Sequence, residues 1–65
     1  MYHYELDGYS LERFNTKTEK FKRVAKCADD FTALNRAKAD FARLRNLHPS
    51  AQAKFYCADR SRIDL

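Results

Sequence analysis

Between Asp29 and Leu47, apolar residues recur at spacings of three and four: Leu34, Ala37, Phe41 and Leu44. That is the period of a helix with one buried stripe, and Phe31 and Leu47 lie at the stripe's edges. Asp29 suits the N-cap, where a short carboxylate accepts an N–H of the first turn. Thr32 or Ala33 stands where a capping box would need Glu. Pro49 ends the helix and moves His48 out of the α region. The opposite face reads Thr32, Asn35, Arg36, Ala39, Arg43 and Asn46, a solvated surface with a small cationic patch of Arg36, Arg43 and Arg45. Asp40 stands one turn from Arg36 and is expected to pair with it.

Outside this segment the pattern has period two. Tyr2, Tyr4 and Leu6 alternate with His3 and Glu5, then Tyr9 and Leu11 share a side beyond Asp7-Gly8. Asp-Gly between alternating apolar runs signals a β-hairpin. A loop at Asp7-Gly8 sets Leu6 opposite Tyr9 and Tyr4 opposite Leu11, all four on one side. His3, Glu5, Ser10, Glu12 and Phe14 then share the other, wet side, where the Phe14 ring needs cover from Phe21, Val24 or a partner.

Asn15 to Thr18 reads as a polar turn. Lys20 to Cys27 is a third strand with a blurred pattern: Phe21, Ala25 and Cys27 share a side with Arg23, and Val24 lies opposite. A bulge reconciles this, or an edge position where lysines discourage further pairing. After the helix, Ala51 to Ala58 makes a fourth strand, with Ala53, Phe55 and Cys57 one way and Lys54 and Tyr56 the other.

The expected fold is therefore α+β. An antiparallel β-meander is followed by one amphipathic helix packed on one sheet face and a final strand, βββαβ. Residues 1–65 make one small domain, with 60–65 a candidate frayed tail. The expected core is Tyr4, Leu6, Tyr9, Leu11, Phe21, Leu34, Ala37, Phe41, Leu44, Phe55 and Cys57. A chain of 65 residues buries only about 60% of its unfolded surface, so stability is marginal.

The charge and cysteine content narrow the chemistry. The net charge is +4, enough to permit an acidic or nucleic-acid partner without demanding one. Cys27 and Cys57 read as small buried hydrophobes or as a cross-strand disulfide. With His3 and His48 they lack the short paired spacing of a zinc site, so no metal and no cofactor is expected. No apolar run approaches the ~18 residues of a membrane span. The opening Met1-Tyr2-His3-Tyr4-Glu5 is neither a signal nor a transit peptide. The expected location is the cytoplasm.

No motif supports catalysis. A Cys–His pair needs a third group to orient the base, and one Gly excludes a Gly-rich phosphate loop. The chain therefore reads as a non-catalytic protein-binding module, an adaptor or inhibitor that occupies a partner's surface. Its candidate contacts are Tyr2, Phe14, Tyr56, Arg36 and Arg43, because Tyr and Arg anchor interfaces. An exposed strand edge would also serve to pair a second copy or a partner strand. Compact, motif-free chains of this kind are common among phage and mobile-element accessory proteins, a matter of general character alone. The alternative is nucleic-acid binding through Lys17, Lys20, Lys22, Arg23, Lys26, Arg36, Arg43 and Arg45, basic residues interleaved with aromatics. Against it, Glu5 and Glu12 sit on the wet sheet face and repel phosphate.

Overall fold

The opening hairpin forms from β1 (Tyr2–Asp7) and β2 (Ser10–Asn15) in the computed structural model, which describes residues 1–65. Its loop is Gly8-Tyr9 rather than Asp7-Gly8. Gly8 has φ of 61° and takes the first loop position, the place of glycine in a type II′ turn. Leu6 therefore faces Leu11, and Tyr4 faces Arg13. The pairing has moved by an even step, so Tyr4, Leu6 and Leu11 keep their shared side. Tyr9, expected in the core, leaves the ladder and is 66% exposed.

The third strand, β3 (Lys20–Lys26), pairs antiparallel with β2 and carries the bulge. Leu11 faces Ala25 but Glu12 faces Arg23, so Val24 is the extra residue. One inserted residue reverses which side each later residue faces. Val24 and Ala25 pack against the core. Phe21, expected in the core on the side of Ala25 with Val24 opposite, is turned to the other face and is 63% exposed.

The helix α1 (Asp30–Leu47) starts and stops where the sequence puts it. The Thr32 N–H donates to Asp29 Oδ1 at 2.8 Å, which holds the Asp29 carboxyl below the usual carboxylate range. His48 closes the helix, its N–H donating to the Leu44 carbonyl at 2.8 Å. Asp30 Oδ2 accepts the Ala58 N–H at 3.1 Å, tying the first turn to the loop that ends the next strand. That strand, β4 (Ala53–Tyr56), lies parallel to β1, with Tyr4 opposite Phe55.

Residues 60–65 do not form a loose tail. Arg62–Asp64 makes β5, antiparallel to β4, and the Leu65 N–H donates to the Ala53 carbonyl at 3.0 Å. The result is an α+β fold of order βββαββ, with sheet order β3-β2-β1-β4-β5. β3 and β5 are the edges. The bulge and the cations of β3 blunt one, and the shortness of β5 blunts the other.

The core lies between the helix and one sheet face. Tyr4, Leu11 and Phe55 are its largest fully buried side chains, and Ala33 and Ala37 meet them from the helix. Small residues on the helix let it approach closely over large residues on the sheet, which keeps the interior dense. Leu6, Leu34, Leu44 and Cys57, expected inside, are partly buried and pack against this core. Cys27 is buried, and both cysteines are free thiols.

A polar network crosses this interface. Asp40 is 7% exposed, and it does not pair with Arg36 as expected. The Tyr4 hydroxyl donates to Asp40 Oδ2 at 2.5 Å, and Arg13 Nη1 donates to the same oxygen at 2.6 Å. Arg43 Nη2 reaches Oδ1 at 3.3 Å. No buried side-chain nitrogen or oxygen is left without a partner. The Arg13 guanidinium also lies 5.6 Å from the Tyr2 ring centroid. Burial works against the charge of Arg13, but the Asp40 carboxylate outweighs it and holds the guanidinium protonated.

Burial, followed by the bond to Asp40, pushes the Tyr4 phenol well above its ordinary value. A group whose folded pKa is raised contributes stability that is fully present below its unfolded pKa, about 10 for tyrosine, and is lost as pH rises beyond it. Urea melts taken from neutral to strongly alkaline pH are expected to show stability falling above about pH 10. In the Tyr4→Phe variant this fall should be reduced. An equal fall in both proteins would rule Tyr4 out as its source.

Candidate interaction face of the sheet

The helix covers one face of the sheet and leaves the other open. Side chains alternate along each strand, and the register decides which of them line up. His3 faces Phe14, and Phe14 faces Phe21. Glu5 faces Tyr56 across the parallel pair. The bulge at Val24 is what puts Phe21 on this side.

These residues make a row of rings across four strands. Phe14 and Phe21 have centroids 4.7 Å apart, and His3 lies 6.4 Å from Phe14. Tyr56 meets His3 edge-on at 5.1 Å. Tilted and edge-on arrangements are the favourable ones for aromatic rings. The rings and Glu5 line an open depression of about 260 Å³. The cover that Phe14 needs on the wet side comes from His3 and Phe21, and Phe21 is itself uncovered.

Charges of both signs surround the row. Arg23 stands opposite Glu12, Arg62 opposite Tyr56, and Asp64 opposite Lys54, with Lys54 next to His3. The His3 ring meets the Met1 sulfur at 3.3 Å and hydrogen-bonds no acid or thiol. No three His, Cys, Asp or Glu side chains come together as metal ligands. The chemistry on offer is apolar contact bordered by ion pairing.

Of the residues singled out from sequence, Phe14 and Tyr56 meet on this face. Tyr2 does not join them. It points to the helix side, half-buried and edge-on to Phe41 at 6.5 Å. Arg36 and Arg43 are exposed on the helix, behind the sheet. The basic set is divided. Lys20 and Lys22 face the helix side with Asn15 and Arg13, whereas Arg23 and Lys26 face the open side with Glu12 and Ser10. Lys17 is in the β2–β3 turn, and Arg45 lies over the Phe41 ring at 5.7 Å.

Neither family models, nor curated proteins, nor solved structures give a match to this chain. Its function is therefore argued from this surface alone.

Two members of the ring row, His3 and Phe21, are not among the contacts expected from sequence. Alternation with Glu5 puts His3 on the wet side, and that was its only signal. Phe21 was hidden by the bulge, because nothing local marks Val24 as the inserted residue.

Proposed function

We propose that this chain is a non-catalytic protein-binding module, of adaptor or inhibitor type, that lays the open face of its sheet on a partner. The row Tyr56–His3–Phe14–Phe21 carries the reading. Aromatic rings gathered at the middle of a patch and rimmed by charged groups are the usual anatomy of an interface. Each ring is held by its neighbours before a partner arrives, so little side-chain freedom is lost on binding. Glu5 and Glu12 beside the row suit a protein surface of mixed charge and oppose a phosphate backbone.

Capture from a host lysate treated with nuclease tests this. Wild-type protein is expected to retain a protein partner in low and in high salt, since apolar anchoring is not screened. Phe21→Ala removes a largely exposed ring and should weaken retention by about thirtyfold, the effect of losing a hot spot worth ~2 kcal/mol. The variant should stay folded with a cooperative melt, lowered by no more than the ~0.5–1.5 kcal/mol of the Phe14–Phe21 pair. Partners that vanish with nuclease, or retention indifferent to Phe21→Ala, would refute the proposal.

A further inference from the structure

On the opposite side of the molecule, the second half of α1 and the strands β2 and β3 leave an open groove of about 220 Å³ between them, lined by Arg13, Lys22, Asp40, Arg43, Leu44 and Leu47. We propose that this groove is a second docking surface, and that its occupant is an acidic protein segment carrying leucine-like apolar side chains. It is separate from the aromatic face, and neither surface requires the other.

Charge is the first argument. Three cations in the groove stand against one carboxylate. Both oxygens of that carboxylate are already taken, Oδ2 by Tyr4 and Arg13 and Oδ1 by Arg43. Asp40 therefore presents little negative charge outward. Lys22 has no ion pair, and Arg43 keeps most of its guanidinium in solvent while holding a single long contact at 3.3 Å. Two positive charges remain to be matched. Arg36 stands one turn before Asp40 on the same side of the helix and extends the cationic track.

The apolar lining decides which anion fits. Leu47 is 75% exposed and Leu44 is half-buried beside it, at the end of a row of cations. Such side chains reward a partner that brings its own apolar groups together with its acids. A single-stranded nucleic acid would need rings on which to stack its bases. No aromatic side chain lines the groove, and Tyr2, the nearest ring on this side of the sheet, is half-buried and already taken by Phe41 and the Arg13 guanidinium. An acidic amphipathic peptide satisfies both halves of the surface, whereas a phosphate backbone satisfies only one.

Fluorescence polarisation tests the assignment. The probe is a labelled peptide of glutamates with leucines at helical spacing, and labelled oligo-dT is the competing class. The acidic peptide is expected to bind the full chain. Lys22→Glu should weaken it by about tenfold through like-charge repulsion, and Leu47→Ser by a similar factor through lost apolar contact. Both positions are exposed, and thermal melts of the two variants should match wild type. Phe21→Ala should leave this affinity unchanged, which keeps the outcome apart from that for the aromatic face. Failure of the peptide to bind, binding that survives both substitutions, or tighter binding of oligo-dT that displaces the peptide would each overturn the proposal.

Discussion

Asp40→Ala is expected to remove a large share of the chain's stability. A domain of this length holds roughly 3–10 kcal/mol of stability in total. Removing Asp40 strands the fully buried Tyr4 hydroxyl and leaves the part-buried Arg13 guanidinium without its carboxylate. Breaking a buried ion pair from one side costs about 3–5 kcal/mol, because the surviving charge keeps its desolvation penalty. Only nine of 65 residues are buried, so few other contacts are available to offset it. The contrast with a coordinated replacement sharpens the test. Tyr4→Phe, Arg13→Met and Asp40→Leu together remove every group that needs a partner, and apolar substitution of whole networks is often neutral. Denaturant melts should therefore show the triple variant to be more stable than Asp40→Ala. A loss of less than about 1 kcal/mol in the single variant would mean that the network is solvated rather than buried.

Phe55→Ala is the second large effect, and it arises by a different route. Phe55 is fully buried and stands opposite Tyr4 on one side and Ile63 on the other. Truncating a buried Phe costs about 3–5 kcal/mol through lost transfer energy and the cavity left behind. The site cannot collapse easily, since the sheet fixes the backbone on both sides of it. Urea melts should show a stability loss of this size as a lowered midpoint with an unchanged slope. Hydrogen exchange should report the loss across β1 and β4 together, because β4 joins the sheet through β1. A loss confined to β5 would mean that the core is centred elsewhere.

Much of this architecture was legible in the residues. The Leu34, Ala37, Phe41 and Leu44 period, the Asp29 cap and the Pro49 stop are local signals, and they place the helix correctly. The sides taken by Tyr4, Leu6, Leu11 and Phe14 also follow from alternation. What failed was non-local or turned on a single residue. Asp7-Gly8 and Gly8-Tyr9 are both acceptable two-residue loops, and the choice between them decides whether Tyr9 enters the core. The extra residue at Val24 parts Phe21 from Ala25, expected on one side, and alternation alone does not say where along the strand a bulge falls. Asp40 was given to Arg36 because spacing along a helix is all that a sequence offers, whereas its main partner, Arg13, comes from another element. β5 has three residues in polar surroundings and gives almost no pattern of its own. The candidate face was visible only through Phe14 and Tyr56, and it became a site once the register brought His3 and Phe21 beside them.

The placement of β1 at the centre of the sheet also bears on how the molecule is made. Its ladder with β2 closes as soon as the first hairpin is synthesised, but its other flank waits for β4. A folding chain must therefore hold an unpaired strand edge, with Tyr4 beside it, until β4 docks. Contacts between distant parts of a sequence close slowly and expose sticky intermediates meanwhile. The closing of the long crossover from β3 through α1 to β4 thus sets how long that edge stays open to neighbours.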